Sequence, residues 1–321
     1  MSHVDGASPA GGTNMAHRRS RANGSAGGQW IVIGWCLVLS GEPLIAQNPL
    51  PPLFAEGAAE QRLLDQVKIS RRQEKQIGQS QFANFRKSLR SSGVRLLRRG
   101  PDVEYIRQLV GVLHKQMAHR DRYPNFVVYL ANTKSTDARA FPGGIIIVTA
   151  GMLDLAETEA ALAGVLAHEL SHIDRGHQLD RYRRLAVAQE GFQGGQFSLA
   201  EMFSRGRLMI NAYARPFRPE QESEADADAA RWTLRCGYSP LEFARLFDRF
   251  AKRAAGRNAP VAAFWRSHPP HQQRLVAVAE LAAREARQRG IVLAELYVGR
   301  ENLQRRIPRH ERVFRAVRNS P

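Results

Sequence analysis

The sequence predicts an α+β fold in which helices come first, a short sheet follows and helices complete the chain. Residues 57–121 have mainly helical patterns, and within them "VEYIRQLVGVLHKQM", residues 103–117, repeats apolar side chains at three- and four-residue spacing. Residues 125–132, "NFVVYLAN", are β-branched and aromatic and predict a strand. A second strand is predicted at residues 145–149, directly after a Pro-Gly-Gly turn.

Helical patterns return after residue 157. The segment around "VLAHELSH" carries an apolar stripe made by Leu162, Val165, Leu166, Leu170 and Ile173. A second helix is expected over residues 222–236, since Gly237 is a normal helix stop. Further helices are expected to begin near Pro240 and within "SHPPHQQR", residues 267–274. Residues 189–221 mix glycines, aromatic residues and prolines, and predict a flap or excursion from the domain.

The N-terminal region differs in composition from the rest of the chain. Residues 1–46 contain a basic cluster followed by the apolar run "WIVIGWCLVLS", which predicts a signal peptide, with an uncleaved anchor or a buried helix as alternatives. Pro-rich residues 47–64 predict a linker. We therefore expect an exported protein of the periplasm or the membrane-associated cell envelope.

The formal net charge is +17, and 10 arginines but only 4 acidic residues lie between Ala282 and Pro321. Such a chain suits an anionic membrane or envelope surface, although an arginine-rich solvated face is the simpler interpretation of the charge. Nucleic acid is a weak alternative, because no nucleic-acid-binding motif is present. The two cysteines, Cys36 and Cys236, exclude a cysteine-rich zinc site and a disulfide framework.

The segment "VLAHELSHIDRGH" carries the strongest chemical signal. His168 and His172 are four residues apart, so on a helix both imidazoles project from one face and can bind one metal ion. Glu169 lies beside them and would take a proton from a water at that ion. The alternative is a helix that carries charged residues on its solvated face.

Zinc sites of this kind need a third protein ligand. Candidates are concentrated in "EQESEADADAA", residues 220–230, where Glu222 and Asp226 share one helix face. One of the two would bind the metal and the other would accept an N–H from a ligating histidine. Glu224 is expected to face solvent, and His177 to cap the helix end or form a local hydrogen bond.

These motifs resemble the HtpX/BepA-like family of zinc endopeptidases, which includes the CAAX prenyl protease. The resemblance covers residues 65–285 and includes four segments in the same order: "SRRQEKQIGQ", "ARAFPGGIIIVTAGML", "AGVLAHELSH" with "ESEAD", and "SHPPHQQR". It implies a mainly helical zincin-type domain with a small sheet beside the metal-binding helix. Asp137, Ala138 and Arg139 stand where the family has Asn-Ala-Phe or a similar sequence.

The resemblance also implies roles for individual residues. One Zn²⁺ per chain would be held by His168, His172 and Glu222, with Glu169 as the base. Asp226 would orient a ligating histidine. His268 matches a histidine that can approach the zinc and keep the enzyme latent, and Arg274 matches an arginine that faces the active site. The alternative for His268 is a capping or surface histidine.

The strand at residues 145–149 is expected to be the edge to which an extended substrate adds, with contacts from Gly144, Ile145, Ile146 and Ile147; a plain core strand is the alternative. Main-chain pairing requires no particular sequence, so the endopeptidase that the resemblance implies is expected to cleave unfolded or misassembled proteins in envelope quality control. A second hypothesis is a latent, chaperone-like metal-binding protein with His268 in the open zinc position. Residues 286–321 are expected to form a basic tail that is disordered or held near an anionic surface.

Overall fold

The computed structural model describes residues 64–180, 182–184, 217–254, 268 and 272–309. The predicted leader, nearly all of the predicted linker and most of the predicted flap lie outside these residues. The longer helices are α1 (Arg71–Ser91), α2 (Pro101–His114), α3 (Ala150–Ala156), α4 (Glu159–Asp174), α5 (Pro219–Arg235), α6 (Pro240–Ala254), α7 (Gln272–Gln288) and α8 (Arg300–Arg305). No helix within the described ranges combines the length and apolar character needed to cross a bilayer.

Four strands form one mixed sheet in the order β1-β2-β4-β3. They are β1 (Leu96–Leu97), β2 (Val127–Ala131), β3 (Ala138–Phe141) and β4 (Ile145–Thr149). β2 and β4 are parallel, whereas β1 pairs with β2 and β3 pairs with β4 in antiparallel fashion. Mainly helical structure around one small sheet confirms the predicted α+β class.

The predicted substrate edge at β4 is wrong, because β4 pairs with a neighbour on both sides. Ile146 and Ile147 are buried, and Gly144 and Ile145 belong to the same interior strand and its entry turn. A run of three isoleucines suits a strand covered on both faces, which was the alternative interpretation. The edges of the sheet are β1 and β3, and β3 is the edge strand beside β4. Its four residues, "ARAF", are too few to stand out as a strand.

The sheet lies between two helical layers. Side chains of one face, including Val128, Ile146 and Val148, join the main core with α2 and α4. On the other face α1 contributes Phe82, whose ring stacks on Tyr129 with the centroids 4.8 Å apart. Gly78 of α1 sits so close to the turn before β4 that a Cβ there would lie 1.7 Å from the carbonyl oxygen of Pro142.

Helix α4 is the centre of the domain. Thr158 caps its N-terminus by accepting a hydrogen bond from the Ala161 N–H, and every residue of the helix is buried. Gly164 permits close contact with α6, since a Cβ at this position would lie 2.4 Å from the Cβ of Phe243. After the helix ends, Gly176 adopts the left-handed conformation with φ 68°, so the chain reverses directly beside the last turn.

The C-terminal part of the chain packs on this central helix. The boundary predicted at residue 285 falls inside α7, and Tyr297 and Leu303 join the same core as α4. The backbone N–H of Arg309 donates to the Glu159 carboxylate in the first turn of α4. Residues 286–309 are therefore part of the folded domain, and residues 310–321 lie outside the described chain.

Candidate metal centre

Four side chains converge on one buried point. His168 and His172 come from the middle of α4, Glu222 from α5, and His268 from the segment that precedes α7. All four residues are at most 3% exposed. Burying three imidazoles and one carboxylate at the same point costs free energy unless these groups bind one another or an ion.

The four donor atoms all lie within 4.8 Å of one another, and several of their separations are close to those around a tetrahedral ion. His168 Nε2 lies 3.1 Å from His172 Nε2 and 3.1 Å from His268 Nδ1. Glu222 oxygens lie 3.5 Å from each Nε2 atom of His168 and His172. Ligands 2.0–2.1 Å from a tetrahedral zinc are about 3.3–3.4 Å apart, so the observed separations suit such a site.

The Nδ1 atoms of His168 and His172, which point away from the other donor atoms, also have partners that suit a metal site. His168 Nδ1 lies 3.0 Å from Asp226 Oδ1, and His172 Nδ1 lies 3.0 Å from His177 Nδ1. Burial lowers the pKa of both His168 and His172, which favours neutral rings. With the Nδ1 atoms protonated, two Nε2 lone pairs face each other at 3.1 Å, and a cation between them removes the repulsion.

Glu169 lies next to this donor set but points towards the sheet edge. Its Oε2 accepts a hydrogen bond from the backbone N–H of Ala140 in β3 at 2.7 Å, and its Oε1 lies 3.3 Å from His268 Nε2. Burial raises the pKa of Glu169 well above its usual range. A carboxyl group with a raised pKa can both accept and return a proton near neutral pH.

His268 stands in the fourth corner of the donor set. Its Nδ1 lies 2.8 Å from Glu222 Oε1, and its Nε2 faces Glu169. Burial, followed by the charge of Arg274, lowers the pKa of His268 to about 3, so the ring is neutral and can act as a ligand. The ring of Phe217 lies 5.3 Å from that of His268 and stacks on His172 with the centroids 3.9 Å apart.

Arg274 holds the two carboxylates of α5. It donates to both oxygens of Asp226 at 2.7 and 2.8 Å, and its third nitrogen lies 2.8 Å from Glu222 Oε2. Burial acts to raise the pKa of Asp226, but the hydrogen bonds from Arg274 and His168 outweigh it and the pKa is lowered. Arg274 therefore keeps Asp226 ionised and fixes the position of Glu222.

Comparison with known proteins identifies the domain. The sequence profile of peptidase family M48 matches residues 103–282, more than half of the chain. The chain belongs to peptidase family M48. This result confirms the resemblance seen in the sequence. The matched region contains every residue of the metal centre described above.

Three similar proteins are the metalloprotease YcaL of Escherichia coli K12 and the beta-barrel assembly-enhancing proteases of Yersinia pestis and Escherichia coli O157:H7. YcaL is 28% identical over 159 residues, which cover 47% of this chain and 59% of YcaL. The Yersinia protein is 25% identical over 144 residues, 40% of this chain and 29% of that protein. The O157:H7 protein is 25% identical over 166 residues, 47% of this chain and 33% of that protein. The matches thus span between 29% and 59% of the length of these relatives.

The structure brings most of the predicted site residues together in the metal centre. They are His168, Glu169, His172, Glu222, Asp226, His268 and Arg274. The predicted strand residues Gly144, Ile145, Ile146 and Ile147 contribute no donor to it. Ala140 of the edge strand β3 does reach the site, and its carbonyl oxygen accepts a hydrogen bond from Gln178 Nε2 at 2.6 Å.

Two further residues were not assigned to the site by sequence reasoning. His177 forms the expected local hydrogen bond, but its partner is the metal-ligand candidate His172. Glu224, expected to face solvent, is half-exposed and lies 2.9 Å from His177 Nε2. The available signal was Gly176, because a glycine just beyond a helix end predicts a chain reversal that returns the next side chain to the last turn.

Proposed function

We propose that this protein is a zinc-dependent endopeptidase that cleaves unfolded or misassembled proteins in the cell envelope. The observation that carries the proposal is the buried convergence of His168, His172 and Glu222 beside the carboxylate of Glu169. Membership of family M48 supports it independently. Two imidazoles and one carboxylate are a ligand set that catalytic zinc sites use.

The chain's own residues supply the proton transfers. Zinc bound to this donor set would polarise the scissile carbonyl and make an adjacent water more acidic. Glu169 Oε1 faces the same point, so it would take the proton of the attacking water and return it to the leaving nitrogen. Arg274 and Asp226 would keep Glu222 and His168 in place during both transfers.

The edge of β3 is the natural place for the substrate. Ala140 directs its N–H towards Glu169 and its carbonyl oxygen towards Gln178, so both groups face away from β4. An extended peptide that replaces these two side-chain partners would add a strand beside the catalytic carboxylate. Main-chain pairing requires no particular sequence but does require an unfolded segment.

The envelope location rests on the leader-like sequence at residues 1–46. The names of two relatives connect those proteins with β-barrel assembly. We infer a similar quality-control setting for this chain. The basic C-terminal region would favour an anionic envelope surface.

A second candidate is a latent metal-binding protein with a chaperone-like role. The observation that favours it is His268, which fills the fourth corner of the donor set and also contacts Glu169. A group in this position would compete with water and substrate. In this case zinc is bound in stoichiometric amount, but cleavage begins only when His268 is removed.

Degradation of casein by the full-length protein tests both candidates. Wild type, Glu169→Gln and His268→Ala are compared, with zinc content measured in each and Glu220→Gln, an exposed glutamate of α5, as the matched control. The protease is supported by cleavage in wild type and the control, together with at least a hundredfold lower rate in Glu169→Gln at equal zinc content. Cleavage by His268→Ala alone supports the latent protein, and the absence of zinc from every variant contradicts both.

A further inference from the structure

We propose that His177 and Glu224 form a hydrogen-bonded relay that positions His172 for metal binding, which makes both of them positioning residues of the site. This inference rests on the proposed zinc site. Neither His177 nor Glu224 belongs to the predicted metal ligands, and neither belongs to the predicted carboxylate pair Glu222 and Asp226.

Two contacts define the relay. His172 Nδ1 lies 3.0 Å from His177 Nδ1, and His177 Nε2 lies 2.9 Å from Glu224 Oε2. His172 is fully buried and the His177 side chain is 5% exposed, whereas the Glu224 side chain is 50% exposed. The relay therefore leads from the buried donor set to a carboxylate at the protein surface.

One arrangement of protons satisfies both contacts while leaving His172 able to bind a metal. His172 Nε2 must present a lone pair to the donor set, so its Nδ1 carries the proton and donates to His177. His177 then accepts at Nδ1 and donates from Nε2 to the carboxylate of Glu224. Both imidazoles are neutral in this arrangement.

The fold brings the relay together from two elements. The left-handed conformation of Gly176 turns the chain back after α4, so the 3₁₀ turn His177–Leu179 places the imidazole of His177 against the helix end. Glu222 and Glu224 are two residues apart on α5, about 200° around its axis, so one faces the metal site and the other reaches His177. Helix α5 thus contributes to both sides of the same histidine.

The ring of His172 is held on its other surfaces as well. Phe217 stacks on its face, with the ring planes 24° apart, and this contact limits tilting of the ring. The hydrogen bond from Nδ1 limits rotation within the ring plane. Together they aim Nε2 at the donor set before any ion arrives, which reduces the entropy that binding must remove.

Glu224 also lies 3.4 Å from Arg175, which in turn donates to both oxygens of Asp228. A simple structural link between α4 and α5 would use this ion pair and would not need His177. The relay, in contrast, requires a residue at position 177 that both accepts from His172 and donates to Glu224. Variants of His177 therefore separate the two roles.

Zinc affinity, measured on the metal-free full-length protein by competition with a chromogenic chelator, tests the relay. His177→Leu removes both hydrogen bonds, so we expect its zinc dissociation constant to rise about 10- to 100-fold. His177→Gln can accept through Oε1 and donate through Nε2, and we expect it to recover most of the affinity. Glu224→Gln should raise the dissociation constant by less, and the control Glu220→Gln by less than twofold.

Two further measurements separate positioning from general damage. The visible absorption spectrum of the Co²⁺-substituted proteins should change in His177→Leu and return towards wild type in His177→Gln, because it reports the ligand geometry. Thermal unfolding of the metal-free proteins should differ little between these two variants. If His177→Leu does not fold, the comparison of His177→Gln and Glu224→Gln with Glu220→Gln still decides the question.

The outcomes are distinct. Failure of wild type to bind zinc overturns the proposed metal site and the relay with it. Tight zinc binding by wild type with an unchanged dissociation constant in His177→Leu overturns the relay alone. The relay is equally overturned if His177→Gln binds zinc no better than His177→Leu. It is also overturned if, across the variants, the loss of zinc affinity is proportional to the loss of thermal stability.

Discussion

The two histidines of the metal helix are four residues apart and present the same atom to the donor set, yet they are supported differently. His168 is supported directly by Asp226, a buried carboxylate that Arg274 binds through two hydrogen bonds. His172 is supported through a second imidazole, His177, which ends at the half-exposed Glu224. We name these the direct arm and the relayed arm.

The difference shows how one buried site combines rigidity with access to solvent. The direct arm is a closed network in which each charge has a buried partner, so removing one member leaves another uncompensated. The relayed arm consists of two neutral rings and the half-exposed carboxylate of Glu224. If Glu224 loses its partner, water can hydrogen-bond to it instead, so little folding free energy is lost. Changes in the direct arm should therefore affect folding, whereas changes in the relayed arm should affect metal binding more selectively.

Asp226→Asn should have the largest effect. It leaves the buried guanidinium of Arg274 without its main partner, and we expect a loss of about 3–5 kcal/mol in the free energy of unfolding of the metal-free protein. Urea denaturation measures this loss. Asp248→Asn, which removes an exposed charge paired with Lys252, is the control and should cost at most about 1 kcal/mol. A loss in Asp226→Asn no greater than in this control contradicts the comparison.

Arg274→Lys should have the next largest effect. Lysine keeps the positive charge but cannot make the paired hydrogen bonds to Asp226 and the third contact with Glu222 together. We expect a loss of about 1–3 kcal/mol by the same denaturation, since hydrogen bonds to charged groups contribute about this much. Arg289→Lys, at an exposed position near the end of α7, should be close to neutral. Equal losses in the two variants would show that charge alone is sufficient.

Gly176→Ala acts on the relayed arm without altering either relay residue. Its φ of 68° is unfavourable for alanine and should cost about 1 kcal/mol in stability, with lower zinc affinity because the turn carries His177. Gly93→Ala is a matched control, since its φ is 71° and a Cβ there meets nothing within 4 Å. Gly93→Ala should lose similar stability at unchanged zinc affinity. Unchanged affinity in both variants would contradict the importance of the turn.

Phe217→Leu should have the smallest effect. Loss of the stacked ring on His172 should cost about 0.5–1.5 kcal/mol in metal-free stability, which is the usual range for an aromatic pair. We expect zinc affinity to fall only a few-fold, because the hydrogen bond to His177 remains.

The double variant Phe217→Leu/His177→Leu should lose more binding free energy for zinc than the sum of the losses in the two single variants, since either restraint alone limits ring motion. Simple additivity in this double-mutant cycle would show that the two restraints are independent.

For the direct arm, the sequence predicts the two helix pairs, and the family resemblance implies the roles of Asp226 and Arg274; neither predicts the relayed arm as a whole. Spacing of four residues brings His168 to His172 and Glu222 to Asp226 whenever the segments are helical, so these pairs follow from local geometry. His177 and Glu224 meet through a chain reversal and the packing of α5 on α4, which are tertiary features. A local pattern can place a side chain on a helix face but does not give the partner on another element.

The fold shows the same division. Apolar periodicity predicted helices, and β-branched or aromatic composition together with a Pro-Gly-Gly turn predicted the two apolar strands. It did not predict β3, whose four residues are held by their neighbour β4 and by Glu169. The edge was therefore assigned to the wrong strand. The order of strands depends on contacts between segments that are distant in the sequence.

The hydrogen bond between Arg309 and Glu159 has a consequence for biosynthesis. Glu159 also accepts from Tyr105 and Tyr238, so the first turn of the metal helix receives partners from three widely separated parts of the chain. A ribosome releases these partners in order, and the last becomes accessible only after residue 309 has been made. The buried carboxylate of a nascent chain lacks one of its three donors until Arg309 has left the ribosome, so the hydrogen bonds around the first turn of α4 are complete only after that point.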